Sequence, residues 1–275
     1  EDSTWDSTTK TLTLKGIEFT TTATTALKLP AGTTIVLADG TDNQITGGGT
    51  TVATSGGYSK DIYVCGIDAQ GALIIKGESS GTGTLSVTSG THENTGNAWT
   101  YSTAILAKGD FSVESGSVTA VGGTAYSADC AFSHGVEMVE GNSLFVKGGT
   151  LTAIGGESFD TGDTEIRKSF SRGVDVYKGN VSVSGAAKLV AKCVPSMDGE
   201  GLAYGVNILL GKLMVLDNAQ LLATATQAIV VSGGCLQQTG GQITAKYTGD
   251  NIGHSLSVTR ENNSSASNTG NIEIT

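Results

Sequence analysis

Residues 136–156, VEMVEGNSLFVKGGTLTAIGG, hold three short segments in which apolar and polar positions alternate, separated by glycine-centred turns. Alternation over four or five residues marks a strand with one buried face. Val136/Met138, Leu144/Val146 and Leu151/Ala153 are therefore predicted to point inward from three successive strands, called a, b and c below. The unit recurs along the chain. Strand a begins at Ile67, Ile105, Val136, Val174, Val206 and Ile229; strand b at Leu73, Phe111, Leu144, Val181, Leu213 and Leu236; strand c at Leu85, Val118, Leu151, Leu189, Leu221 and Ile243. An earlier copy, ALKLPAGTTIVLADGTDNQITGG, has Leu27/Leu29, Ile35/Leu37 and Ile45 as its inward residues. Two residues into strand c the inward partner is Val87 and then Ala120, Ala153, Ala191, Ala223 and Ala245, a ladder of alanines.

The spacing of these segments predicts the fold. The a-to-b corner is nearly constant in length and so, after the first case, is the b-to-c corner, whereas the c-to-a corner varies widely. Strands that all run the same way round a coil pair in parallel with the strands of the next turn. The expectation is an all-β parallel β-helix, or solenoid, of about seven three-stranded rungs, with loop insertions at one corner. Residues 1–26, less regular and carrying Trp5, read as an N-terminal cap over the open end; 27–258 read as the β-helix; 259–275, with the linker-like run ENNSSASNTG, read as a linker or C-terminal cap. Gln238 stands where an inward apolar residue belongs and marks a rung that opens toward solvent or a cap.

Composition agrees with a β-rich chain: 40 of the 275 residues are glycine, threonine and serine are abundant, and there are two prolines. The net charge of −10 opposes nucleic-acid binding, which needs a basic stripe, and opposes anionic membranes. No apolar run is long enough to span a bilayer and no secretory leader opens the sequence. Cys65, Cys130, Cys193 and Cys235 are far apart and match neither a metal-binding spacing nor a disulfide framework, so separate thiols are expected.

Insertions in a repeat protein gather on one face, and such faces bind. Those at the c-to-a corner hold many of the aromatic residues and histidines. Within THENTGNAWTYS, residues 91–102, His92, Asn94, Asn97, Trp99 and Tyr101 combine rings that stack on a pyranose face with groups that bond its hydroxyls. Tyr126 and Phe159, with Arg167 and Arg172, extend the candidate ligand-binding set. The competing reading is that Trp99 and Tyr101 pack the insertion onto the strands beneath. Residues 157–173 concentrate Asp160, Asp163 and Glu165, candidates for a metal or for acid–base chemistry, although their spacing matches no calcium loop and an internally paired charge cluster explains them as well. No phosphate cradle, Ser-His-Asp arrangement or HExxH is present, and no cofactor is expected.

The segments TWDSTTKTLTLKGIEF, TTIVLADGTDNQITGG, SVTAVGG and TLTAIGG resemble the glycine- and threonine-rich domains of gut-bacterial surface proteins with the right-handed parallel β-helix, or pectate-lyase-like, fold. Some of that family are labelled carbohydrate-binding. The resemblance covers most of residues 4–260 and implies a right-handed coil, secretion or bacterial cell-surface display, and further domains of a longer surface protein as neighbours. Pectate-lyase-like enzymes commonly project catalytic groups from one sheet; here Asp68, Glu137, Asp175 and Asn207 are the outward positions of strand a, and Glu137 and Asp175 are predicted neighbours on adjacent rungs. Two stacked carboxylates repel, which can signal function or an ion, and Lys147 and Lys178 are candidates to neutralise them. Three functions follow as expectations: a non-catalytic, adhesin-like binder of glycan or cell-surface ligand; a polysaccharide lyase or glycoside hydrolase using the carboxylates of strand a, Glu137 and Asp175, or those of residues 157–173; and a structural stalk.

Overall fold

The computed structural model describes residues 2–53, 62–96, 98–162, 169–194, 201–248, 254–259 and 271–274. Within them the chain is strand and turn with no helix. Strands b and c of successive turns belong to one 16-stranded sheet, and strands a form an 8-stranded sheet. The strands of the second sheet are Thr25–Leu29, Ile62–Ala69, Thr100–Ala107, Ala131–Met138, Ser169–Tyr177, Leu202–Leu209, Gln227–Ser232 and His254–Thr259. From turn to turn these pairings are parallel, and the chain visits b, c and a in the same order each time, which is the path of a solenoid.

The inward residues stack in register. Val136 pairs with Ile105 and Val174, Leu144 with Phe111 and Val181, and Leu151 with Val118 and Leu189. The alanine ladder pairs residue on residue from Ala120 to Ala245. All of these except Ala245 are buried in one continuous core. The members of that core that are partly open lie near its two ends: Leu12, Ile17, Ala26 and Leu27 at one, and Ile243, Ala245 and Val258 at the other. Beyond the first end, Ser3–Asp6 folds back antiparallel on Thr11–Leu14 and carries the exposed Trp5. Thr11–Leu14 and Glu18–Thr20 themselves stack in parallel on the following turn. At the other end, Asn271–Ile274 pairs in parallel with Cys235–Tyr247. Gln238 lies in register with the buried Val215 and is itself half-buried, with its side-chain amide donating to the Gly241 carbonyl at 3.2 Å.

The c-to-a corner differs from the expected loops. Four of its segments each contain a short strand, called d here: Thr50–Val52, His92–Asn94, Ala125–Ser127 and Ser158–Asp160, which form a 4-stranded parallel sheet of their own. The strands a that follow begin earlier than their apolar alternation announced, at residues 62, 100, 131 and 169. Both features escape a search for apolar alternation because their buried residues are polar or small. His92, Asn94, Thr100, Ser102, Ser127, Ser133, Ser158 and Ser171 are all buried, and several of them bond to backbone groups of the corner. Ser133, for example, donates to the Gly123 carbonyl at 2.7 Å and accepts from the Gly156 amide at 2.8 Å.

Strand a does not alternate throughout. Its pairing skips one residue per turn, at Ala26/Gly66, Ala104, Gly135, Gly173, Gly205 and Ala228. Every strand drops the equivalent residue, so the register is kept across it; this kink, repeated from strand to strand, is called the bulge here. It brings strand a against strand c, so that a Cβ at Gly135 would stand 2.5 Å from the Ile154 amide nitrogen and 2.8 Å from the Gly173 carbonyl oxygen. It also places residues three apart on the same outer face, where a regular strand would put them on opposite faces. Gly135→Val is therefore expected to lower stability by about 3 kcal/mol through overpacking, while Ala104→Gly costs no more than about 1 kcal/mol. Urea unfolding of the two variants checks this; equal effects would remove the close approach as a constraint.

Candidate functional site

The outer face of sheet a presents three columns created by in-register stacking and the bulge. The first is aromatic: Tyr63, Tyr101, Phe132 and Phe170 pair strand to strand. Their rings lie nearly parallel, with centroids 4.4, 4.7 and 5.0 Å apart and interplanar angles of 17°, 6° and 10°. Each stacked pair contributes about 0.5–1.5 kcal/mol beyond the area it buries. The second column is Cys65, Thr103, His134, Arg172 and Tyr204, and the third is Asp68, Leu106, Glu137, Asp175 and Asn207.

The second and third columns interlock. Glu137 and Asp175 are register neighbours, as expected, and the groups that relieve their repulsion come from the bulge, three residues earlier on each strand. His134, with its side chain 1 % exposed, donates from Nδ1 to Glu137 Oε2 at 2.9 Å, and its Nε2 faces Asp175 Oδ2 at 3.9 Å. Glu137 also accepts from the Thr103 hydroxyl at 3.0 Å and the Tyr63 hydroxyl at 3.3 Å. Asp175 accepts from Arg172 at 2.7 Å and from the Asn207 amide at 2.7 Å. The Arg172 guanidinium lies over the rings of Phe170, Phe132 and Tyr204 at 4.9, 5.4 and 5.6 Å, joining this cluster to the aromatic column. Burial by itself would push the Asp175 carboxyl up; Arg172, His134 and the Asn207 amide outweigh it and hold the group below the usual carboxylate range. Lys147 and Lys178 are not the neutralising partners. They pair with Glu114 and Glu140, and the lysine on this face, Lys108, pairs with Asp68 at 2.9 Å.

The other candidates divide by the direction they face. His92 and Asn94 point into the corner: His92 Nδ1 lies 3.2 Å from the Tyr101 carbonyl, and Asn94 donates to the Ala98 carbonyl and accepts from the Gly96 amide. Burial lowers the His92 pKa and keeps the ring neutral. Tyr101 is 8 % exposed and lies between Tyr63 and Phe132. Tyr126 and Phe159 stack on each other on the outer face of sheet d, centroids 4.9 Å apart, with Glu93 next in the column at the Tyr126 end. Trp99 belongs to no column. It is 38 % exposed, tilted 48° against Phe132, and its indole N–H donates to Asp129 at 3.0 Å. Asp160 closes its own turn by accepting from the Gly162 amide. Asn97, Asp163, Glu165 and Arg167 lie outside the described residues, and among the described residues no cluster of His, Cys, Asp and Glu is arranged to hold a metal.

Stacked aromatic columns have a chemical consequence. Parallel rings in register use their faces on each other, so an interior ring has no face left for a ligand. Trp99, outside the stack and held at its N–H, is 38 % exposed. The role of His134, Thr103 and Tyr63 as partners of Glu137 was missed from the sequence, although the repeated pentads YSTAI, FSHGV and FSRGV at 101–105, 132–136 and 170–174 carry the signal for two of them. None of the four cysteines forms a disulfide; burial raises the Cys65 thiol well above its usual range and pushes Cys193 up to about 12. No helix among the described residues is long and apolar enough to cross a membrane. The chain matches no protein-family model, no curated protein and no solved structure.

The charge cluster and the buried His92 yield testable consequences for stability. Arg172→Met leaves the Asp175 carboxylate buried without its cation and is expected to cost about 3 kcal/mol; adding Asp175→Asn recovers part of that loss, as a double-mutant cycle by urea unfolding would show. For pH, the folded-state pKa of Asp175 lies below its unfolded value, so its contribution is complete above that unfolded value, about 3.9, and is lost as pH falls through the folded one. His92, with a folded pKa below the unfolded value of about 6.5, withdraws stability as pH falls from that value. His92→Gln should flatten the stability profile between about pH 7 and 5, and Asp175→Asn should flatten it below about pH 4. Unchanged slopes in both variants would contradict these assignments.

Proposed function

We propose that this chain is the parallel β-helix of a secreted or bacterial cell-surface protein and that it binds glycan, or another cell-surface ligand, without catalysing a reaction. Crossover connections between parallel strands favour the right-handed coil, in agreement with the resemblance to β-helical surface domains. The observation that carries the binding reading is Trp99: an indole 38 % exposed, held at its N–H by Asp129 and set at the corner between sheets a and d. A ring presented in this way suits the C–H face of a pyranose.

The lyase or hydrolase reading draws less support. General acid–base work needs a carboxyl group within reach of substrate. Glu137 is 9 % exposed and accepts from three donors, and Asp175 is held by Arg172 and Asn207. That network serves to stack like charges on adjacent rungs. In a longer surface protein the same rigid coil would also act as a spacer for the binding corner.

A glycan array probed with the full chain tests the proposal. Trp99→Ala should weaken specific hits roughly three- to tenfold while leaving the urea midpoint nearly unchanged, whereas Tyr101→Ala should lower the midpoint. Hits that survive Trp99→Ala at full strength, or an array without hits, would overturn the assignment.

A further inference from the structure

Resting on the glycan-binding reading, we infer that the corner carrying Trp99 is an acid-sensitive clasp: charging the buried His92 imidazole opens strands d away from strand a and releases the ligand that the indole holds. Strand His92–Asn94 grips the chain on both sides of Trp99. Before the indole, Asn94 donates to the Ala98 carbonyl at 3.3 Å; after it, the His92 ring reaches the Tyr101 carbonyl at 3.2 Å. A carbonyl only accepts, so Nδ1 carries the proton of the neutral ring and Nε2 is left as an acceptor. Nε2 is buried and has no hydrogen-bond partner among the described residues. Protonation therefore adds a charge and a second N–H donor to a side chain that is 0 % exposed, at the cost of desolvating both.

The titratable groups on the elements packed around His92 face elsewhere. Glu93 alternates to the exposed side of the same strand, where it accepts from Thr51 of the strand before. Tyr126, on the strand after, stacks on Phe159 on the outer face of sheet d. Tyr101 lies in the outer column of sheet a, Cys130 packs with Tyr101 and Phe132, His134 bonds to Glu137, and Asp129 holds the indole. Burial is the main influence on the His92 ring and lowers its pKa, outweighing the Tyr101 carbonyl, which raises it. The closed corner is thus fully favoured above the ordinary histidine value of about 6.5, and below it loses ground about tenfold per pH unit until the ring charges in place. The corner can yield before the coil does. Strands d are three residues long, and their residues lie outside the continuous aliphatic core; His92, Asn94, Ser127 and Ser158 fill their buried side instead. Local opening begins where buried apolar contacts are few.

Amide hydrogen exchange on the full chain between pH 7 and pH 4.5, corrected for intrinsic rates, tests the clasp without a ligand. The amides of His92, Thr100 and Ala125, bonded to the Thr124, Cys130 and Glu157 carbonyls, should lose protection about tenfold per pH unit below about 6.5. At every pH they should be less protected than the amide of Leu144 in strand b. In His92→Gln the corner should keep nearly constant protection; the wild-type series stands by itself if that variant folds poorly. The binding arm uses an oligosaccharide that scores on the array. Titration calorimetry should show the wild type binding it at least about threefold more weakly at pH 4.5 than at pH 7, because affinity falls with the closed fraction, whereas His92→Gln, which retains Glu93 and Asp129, should bind alike at both. Corner amides that ignore pH, that open only together with Leu144, or that keep their pH dependence in His92→Gln would overturn the inference while leaving the binding reading intact. So would equal wild-type affinity at the two pH values. An array without hits would instead remove the binding reading, and ligand release with it.

Discussion

In-register parallel stacking is the constraint on which the rest of this structure depends. Adjacent strands lie about 4.8 Å apart, and every turn runs the same way, so a residue is forced against the residues at the same position in the turns before and after it. Aliphatic positions become the continuous core from Ile67 to Ile229 and from Leu85 to Leu221. Each turn contributes only part of the burial its own residues require, and the ends, where one neighbour is missing, are where Leu27 and Ile243 become partly open.

The same rule makes chemistry collective. Aromatic residues at one position stack into a column and cover each other, as Tyr63, Tyr101, Phe132 and Phe170 do. Carboxylates at one position repel unless another column supplies charge or donors. Here the repeated bulge provides that second column. By turning residues three apart onto one face it sets His134 beside Glu137 and Arg172 beside Asp175, and a buried polar network results where a regular strand would have left two bare acids. A residue free to meet a ligand must therefore stand outside the columns, and Trp99 does.

Much of this was legible in the sequence, and the rest was hidden for identifiable reasons. The apolar members of strands a, b and c could be aligned by eye because alternation with a period of two is local, and the pairs read from it are the pairs in the sheets. The fourth strand and the early start of strand a were not legible, since the residues buried there, His92, Ser127, Ser133 and Ser158, are polar and give no apolar alternation. Tyr101 read as a ligand-facing ring because its neighbours in space, Tyr63 and Phe132, are some thirty to forty residues away in sequence. Arg172 read as a ligand-binding residue although its partner Asp175 is only three residues on, because regular alternation puts residues three apart on opposite faces.

By itself the sequence determined which face of each strand is buried and that the strands repeat, because backbone geometry converts alternation directly into sidedness. Only the tertiary structure decided which groups share a column and which ring stands outside the columns. Those outcomes depend on the register between turns and on a bulge whose Gly or Ala residues say nothing locally about the side chains that they bring together.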